Sequence, residues 1–159
     1  MSNHRALAVA NHFLRLSPSI GGDQMKLQKL VYISHGFNLA INHEPLVRDR
    51  IEAWDGGPVF RSIWDHIRDF GLKDGLLVSP ITKQPYEAEL TPNECEVLEH
   101  VWGRYGSYKG ADLSHMTHKS GTPWYHAYAQ GRNTPISNEA IERHYALLAQ
   151  AGREEAAQA

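Results

Sequence analysis

Apolar residues recur at helical spacing through most of the chain, and the pattern breaks where glycine and proline cluster. Near the start, Ala6, Leu7, Ala10, Phe13 and Leu14 fall on one helical face. That run stops at Ser17-Pro18, because proline disfavours helix in the residue before it. The next run, MKLQKLVYISHGFNLAI, places Leu27, Leu30, Val31 and Ser34 on a stripe that Tyr32, Ile33 and Phe37 widen. A stripe that wide predicts a central helix nearly encircled by others, with Asp23 as its N-cap.

From Glu44 to Pro58 the period changes. Leu46, Val47, Ile51 and Ala53 read as extended, and Gly56-Gly57 mark a turn. Pro58 is expected in the first turn of a third helix, where Phe60, Ile63, Trp64 and Ile67 take i, i+3, i+4, i+7 positions before Gly71. Residues 76–90, LLVSPITKQPYEAEL, carry two prolines and little helical period, which predicts a short strand or hairpin. The next helix is the best marked. Thr91 and Glu94 form a capping box, Pro92 sits at N1, and Val97, Leu98, Val101, Trp102 and Tyr105 make its apolar face.

A short helix is expected over KGADLSHMTH, another from Thr122 capping Pro123-Trp124, and a last one from Ser137 with an Ile136–Ile141 staple. Its inner face uses Ile141, Tyr145 and Leu148. Beyond Gly152 the segment REEAAQA has no core-forming side chain larger than alanine. Residues 153–159 are therefore expected to form a flexible tail behind one domain over 1–152. The predicted fold class is mainly α, a compact helical domain with a small β element of short strands or a hairpin.

Composition narrows the function classes. A chain of 159 residues suits one domain, and 16 Lys+Arg against 18 Asp+Glu, with no dense basic cluster, argues against a nucleic-acid partner. The one cysteine, Cys95, excludes an internal disulfide and fits a reducing compartment. His12 and Arg15 interrupt the first apolar run, so it reads as an amphipathic helix and not a signal peptide. No apolar stretch approaches the roughly 20 residues of a membrane span, and a cytoplasmic location is expected.

Candidate chemistry is sparse. His115 and His118 are three apart, with Asp112 a turn earlier and His126 further on, yet no complete metal-ligand motif accompanies them. Cys95 lies in the first turn of a capped helix, but no histidine is fixed beside it, and an incidental thiol is the expectation. Gly56-Gly57-Pro58 could present free amides at a helix start, a poor anion site by itself. No catalytic residue, cofactor or metal is assigned. Among the tryptophans, Trp64 and Trp102 lie on helical stripes and are expected in the core. Trp54 and Trp124 adjoin proline-marked corners, where an indole either locks the turn or anchors a partner; locking is expected.

Three ordered segments, MKLQKLVYISHGF, IEAWDGGPVF and DLSHMTHKSGTPWYHAY, together resemble the Panacea domain, also called the SocA-like antitoxin domain. The likeness runs from Met25 to Tyr128. It is carried by Lys26, Leu27, Lys29, Leu30 and Tyr32, then Glu52, Ala53, Trp54, Gly57, Pro58 and Val59, then Leu113, Thr117, His118, Pro123 and Trp124. Asp55-Gly56 departs from the family, which often has a bulkier or aromatic residue before its Gly-Pro. The resemblance implies a cytoplasmic, non-enzymatic antitoxin that neutralises a cognate protein toxin encoded nearby, in a family with copies on phages and other mobile elements. It also implies that IEAWDGGPV is scaffold, with Trp54 packed on the second helix. Partner specificity is then expected in the loops His43–Arg50, Ser79–Glu89 and Gln130–Pro135. A cellular protease is a second expected partner, through the tail. Two rival classes are a small hydrolase using His115, His118 and Cys95, and a DNA-binding regulator.

Overall fold

The computed structural model describes residues 3–158, and side chains through Arg153. The expected flexible tail over 153–159 falls almost wholly on residues whose side chains lie outside that description. Among the described residues there are seven α-helices, one 3-10 turn and a three-stranded antiparallel sheet. The helices are α1 (Ala6–Leu16), α2 (Gln24–Asn42), α3 (Arg61–Phe70), α4 (Pro92–Tyr105), α5 (Gly110–His118), α6 (Pro123–Tyr128) and α7 (Asn138–Gln158). The strands are β1 (Ile51–Trp54), β2 (Gly57–Phe60) and β3 (Thr134–Pro135), in the order β2-β1-β3. The mainly α class with a small β element is what the molecule shows.

Helix α2 is the axis of the domain. Every residue from Leu27 to Leu39 is buried, and α1, α4, α5, α7 and β2 all pack on it. Its partnership with α7 demands a glycine: a Cβ on Gly36 would lie 2.2 Å from the Tyr145 ring. Tyr145 in turn meets Phe37 edge-on at 4.9 Å. Encirclement leaves polar side chains inside, and each of several has a task. His35 accepts the amides of Leu46 and Val47 at Nδ1, 3.2 and 3.3 Å away, while Nε2 lies 2.9 Å from Asn138 Oδ1. Both Leu46 and Val47 are buried, so the 43–50 loop is pinned at its centre and offers a partner only its flanks.

Asp23 joins two helix starts. Its Oδ1 accepts the Lys26 amide at the head of α2, and Oδ2 accepts the Gly110 amide at the head of α5, at 3.1 and 2.9 Å. The capping box of α4 forms as expected, with Glu94 N–H to Thr91 Oγ1 at 3.2 Å and Thr91 N–H to Glu94 Oε1 at 2.8 Å. Thr122 caps α6 and Ser137 Oγ accepts from Ala140 at the head of α7.

Three expectations are corrected. Pro58 does not launch a helix: it lies in β2 opposite Ala53, and α3 begins at Arg61. β2 is an edge strand, where a residue without an N–H is tolerated. Trp64 is not core, because α3 buries Ile63 and His66 while Trp64 is 42% exposed. Residues 76–90 form no strand, and the expected hairpin is reduced to a turn closed by one antiparallel bridge, Val78 with Pro85, with Tyr86 N–H to Leu77 O at 3.1 Å.

Candidate functional site

The edge of β2 is closed by side chains of α2. Gln28 Nε2 donates to Phe60 O at 3.2 Å and Gln28 Oε1 accepts the Phe60 amide at 2.9 Å, so one amide stands in for a neighbouring strand. One residue on, Lys29 Nζ donates to Pro58 O at 2.9 Å. The ladder therefore continues into helix side chains, and the outward groups of β2 are satisfied.

The β1–β2 turn is fixed from its other side. Ser114 Oγ donates to Gly56 O at 2.5 Å, and Trp124 Nε1 donates to Trp54 O at 2.6 Å. Gly57 has φ +119°, and a Cβ there would meet Lys29 Cε at 3.2 Å and Thr117 Oγ1 at 3.4 Å. Positive φ and close packing both require glycine. His118 is spent locally, with Nδ1 on Ser114 O and its ring edge-on to Trp124 at 5.3 Å. Because the turn runs strand to strand, the amides of Gly56-Gly57 do not front a helix, and the anion site considered there is not formed.

Beside the turn lies a cavity of about 440 Å³. Trp54 and Trp64 form one wall, edge to face at 5.4 Å, and Met25 and Val59 form another. Trp54 is half-buried and its ring packs on Trp64 of α3, with Met25 and Lys29 of α2 lining the same cavity. Its indole N–H donates to Glu52 Oε1 at 2.9 Å, and that buried carboxylate also lies 3.3 Å from Arg50 Nε. At the rim, Asp55 takes the guanidinium of Arg132 and the hydroxyl of Tyr128, which hold its carboxyl below the usual range. Lys29 is 2% exposed, and burial pushes its ammonium down to about 8. None of the ion pairs among the described residues includes it.

Thus the structure brings together Lys29, Trp54, Gly57, Pro58, Val59, Thr117, His118 and Trp124 around one hairpin. Other residues of the same motifs go elsewhere. Leu27, Leu30, Tyr32, Leu113 and Pro123 are buried packing, and Lys26 Nζ donates to Gly106 O at 2.6 Å, while Ala53 stays in the hairpin opposite Pro58. Sequence reasoning missed Gln28, Ser114, Tyr128 and Arg132, whose partners are distant in the chain and leave no local pattern. Among the described residues no three His, Cys, Asp or Glu side chains group as a metal site. His115 and His118 stand with ring centres 6.2 Å apart.

The family model described as "Antitoxin SocA-like, Panacea domain" matches residues 27–125, which contain the hairpin and the helices that clasp it. The chain belongs to the SocA-like Panacea family. Antitoxin SocA of Caulobacter vibrioides (strain NA1000 / CB15N) is 30% identical to it over 131 residues, covering 75% of this chain and 68% of that protein. No solved structure matches. For this SocA-like chain the family indicates an antitoxin role, and with it a non-enzymatic one and a toxin partner in general. No helix among the described residues is long and apolar enough to cross a membrane.

Proposed function

We propose that the protein neutralises a protein toxin by binding it directly, on the face that carries the cavity rim. The observation that supports this most is the composition of that rim. Trp64 is 42% exposed and Met25 40%, beside the Arg132 guanidinium. Tryptophan, methionine and arginine are the types enriched at protein interfaces, and clustered aromatic and arginine side chains supply most hot spots. Arg132 stands in the 130–135 loop, so one of the expected specificity loops adjoins this face. The loop at 79–89 presents Ile81, 89% exposed, as a second contact point. The hairpin beneath is scaffold: buried hydrogen bonds fix its backbone, and toxin contacts are made by the side chains around it.

The test is co-expression with the product of the adjacent reading frame. Rescue of growth, and a complex that survives gel filtration, are expected with the parent chain. With Trp64→Ala, affinity falls while the melting temperature stays. A neighbouring product that is toxic and is not rescued by this chain would overturn the proposal.

A further inference from the structure

Lys29 presents a charge that the fold does not neutralise. A buried ammonium is costly unless paired, and this one has a single hydrogen-bond acceptor, Pro58 O, for its three N–H donors. It lies on the wall of the cavity beside the β1–β2 turn. The carboxylate in the lining, Asp55, is occupied by Arg132 and Tyr128. Gln24 lines the same cavity, and its Oε1 is buried without a hydrogen-bond partner. Between these two polar points the walls are Trp54, Trp64, Met25 and Val59. A volume of about 440 Å³ falls within the roughly 300–1,000 Å³ of small-molecule sites, which combine apolar walls with a few placed polar groups.

We propose that this cavity is a binding site for a small ligand that joins a planar apolar group to a carboxylate. The carboxylate takes the unspent protons of Lys29, and the planar group lies against the Trp54–Trp64 wall. A hydrogen-bond donor on the planar group meets Gln24 Oε1. The two polar points come from α2 and the planar wall from the hairpin and α3, so the selectivity is for the combination. At neutral pH the amine is still protonated, since burial brings it down only to about 8. The site stands whether or not a toxin docks on the rim.

The test uses the chain alone, with indole-3-propionate as the probe and indole-3-propionamide as its uncharged twin. Two-dimensional nitrogen–proton spectra follow the indole N–H signals of the four tryptophans. Saturable shifts of the Trp54 and Trp64 signals are expected with the carboxylate, with Trp102 unmoved. The amide is expected to bind about tenfold more weakly, equivalent to about 1.4 kcal/mol. Lys29→Met removes that preference, and Trp64→Ala, at an exposed position, weakens the carboxylate about tenfold. No saturable shift up to about 10 mM, or equal binding of carboxylate and amide by the parent chain, overturns the proposal. The parent comparison needs no variant, so it decides the matter even where the Lys29→Met protein folds poorly.

Discussion

Trp124 Nε1 donates to the backbone oxygen of Trp54 at 2.6 Å, so one tryptophan holds the corner that another decorates. Trp124 is 8% exposed and stacks on Tyr128 at 4.7 Å. Trp54 sends its own ring outward against Trp64. Of the two indoles placed at corners by the sequence, the lock is Trp124.

Trp124→Ala is therefore expected to destabilise the domain by about 3–5 kcal/mol, through the lost ring and the stranded carbonyl of residue 54. Trp124→Phe keeps most of the packing and removes only the donor, which costs about 1–3 kcal/mol. Trp54→Ala is expected to cost less than Trp124→Ala, because a half-buried ring against an exposed neighbour leaves little cavity. Urea unfolding of the three variants orders them. A Trp54→Ala protein less stable than Trp124→Ala would reverse the assignment of lock and wall.

How far the sequence disclosed this follows from the range of the interactions. Caps and helical faces are local, so Asp23, Thr91-Glu94 and Thr122 could be read directly, as could the encircled α2. Pro58 could not, since proline suits both a helix start and an edge strand, and only the pairing with β1 decides. Trp64 kept a helical spacing yet faces outward, because α3 is a peripheral helix whose apolar period outruns the surface available to cover it. The cavity was least legible. Lys29 and Trp54 were singled out as motif positions, but Arg132 and Ser114 reach the hairpin through folds of the chain that no spacing encodes.

The α2–α7 contact predicts a severe effect from a single methyl group. Gly36→Ala would place a carbon 2.2 Å from the Tyr145 ring, inside van der Waals contact with a fully enclosed side chain. The helices must part or the ring must leave its rotamer, at a cost of about 1–3 kcal/mol or more. Combining Gly36→Ala with Tyr145→Leu is expected to cost less than the sum of the two single changes, because the second removes the obstacle. Strict additivity in thermal unfolding would argue against the close approach.

Asp23 predicts a coupling between two helix starts. Asp23→Ala removes the acceptor for Lys26 N–H and for Gly110 N–H together. Loss of an N-cap costs about 0.5–2 kcal/mol, and the second stranded amide adds to it. Hydrogen exchange should therefore accelerate at both Lys26 and Gly110, which lie far apart in sequence. Acceleration at Lys26 alone would mean that α5 does not depend on this carboxylate.

Lys29 gives the protein a pH dependence of definite sign. Its amine ionises at about 8 in the native chain against an ordinary value of 10.5, and burial is the cause. The native state therefore releases this proton before the unfolded state does, and between those values the unfolded chain binds more protons. Stability attributable to this site rises as pH rises through that window, and it is lost again as pH falls through about 8. Buried Tyr32 and Tyr145, whose hydroxyls burial holds well above their usual range, act in the opposite direction at high pH. Comparison with Lys29→Met cancels them, since both proteins carry both tyrosines. From about pH 7 to 10 the parent is expected to gain roughly 2–3 kcal/mol on the variant. Urea midpoints at several pH values measure the difference directly. A constant gap between the two proteins across this range would mean that the Lys29 amine keeps its ordinary affinity for the proton, and that its burial beside Pro58 is relieved by water.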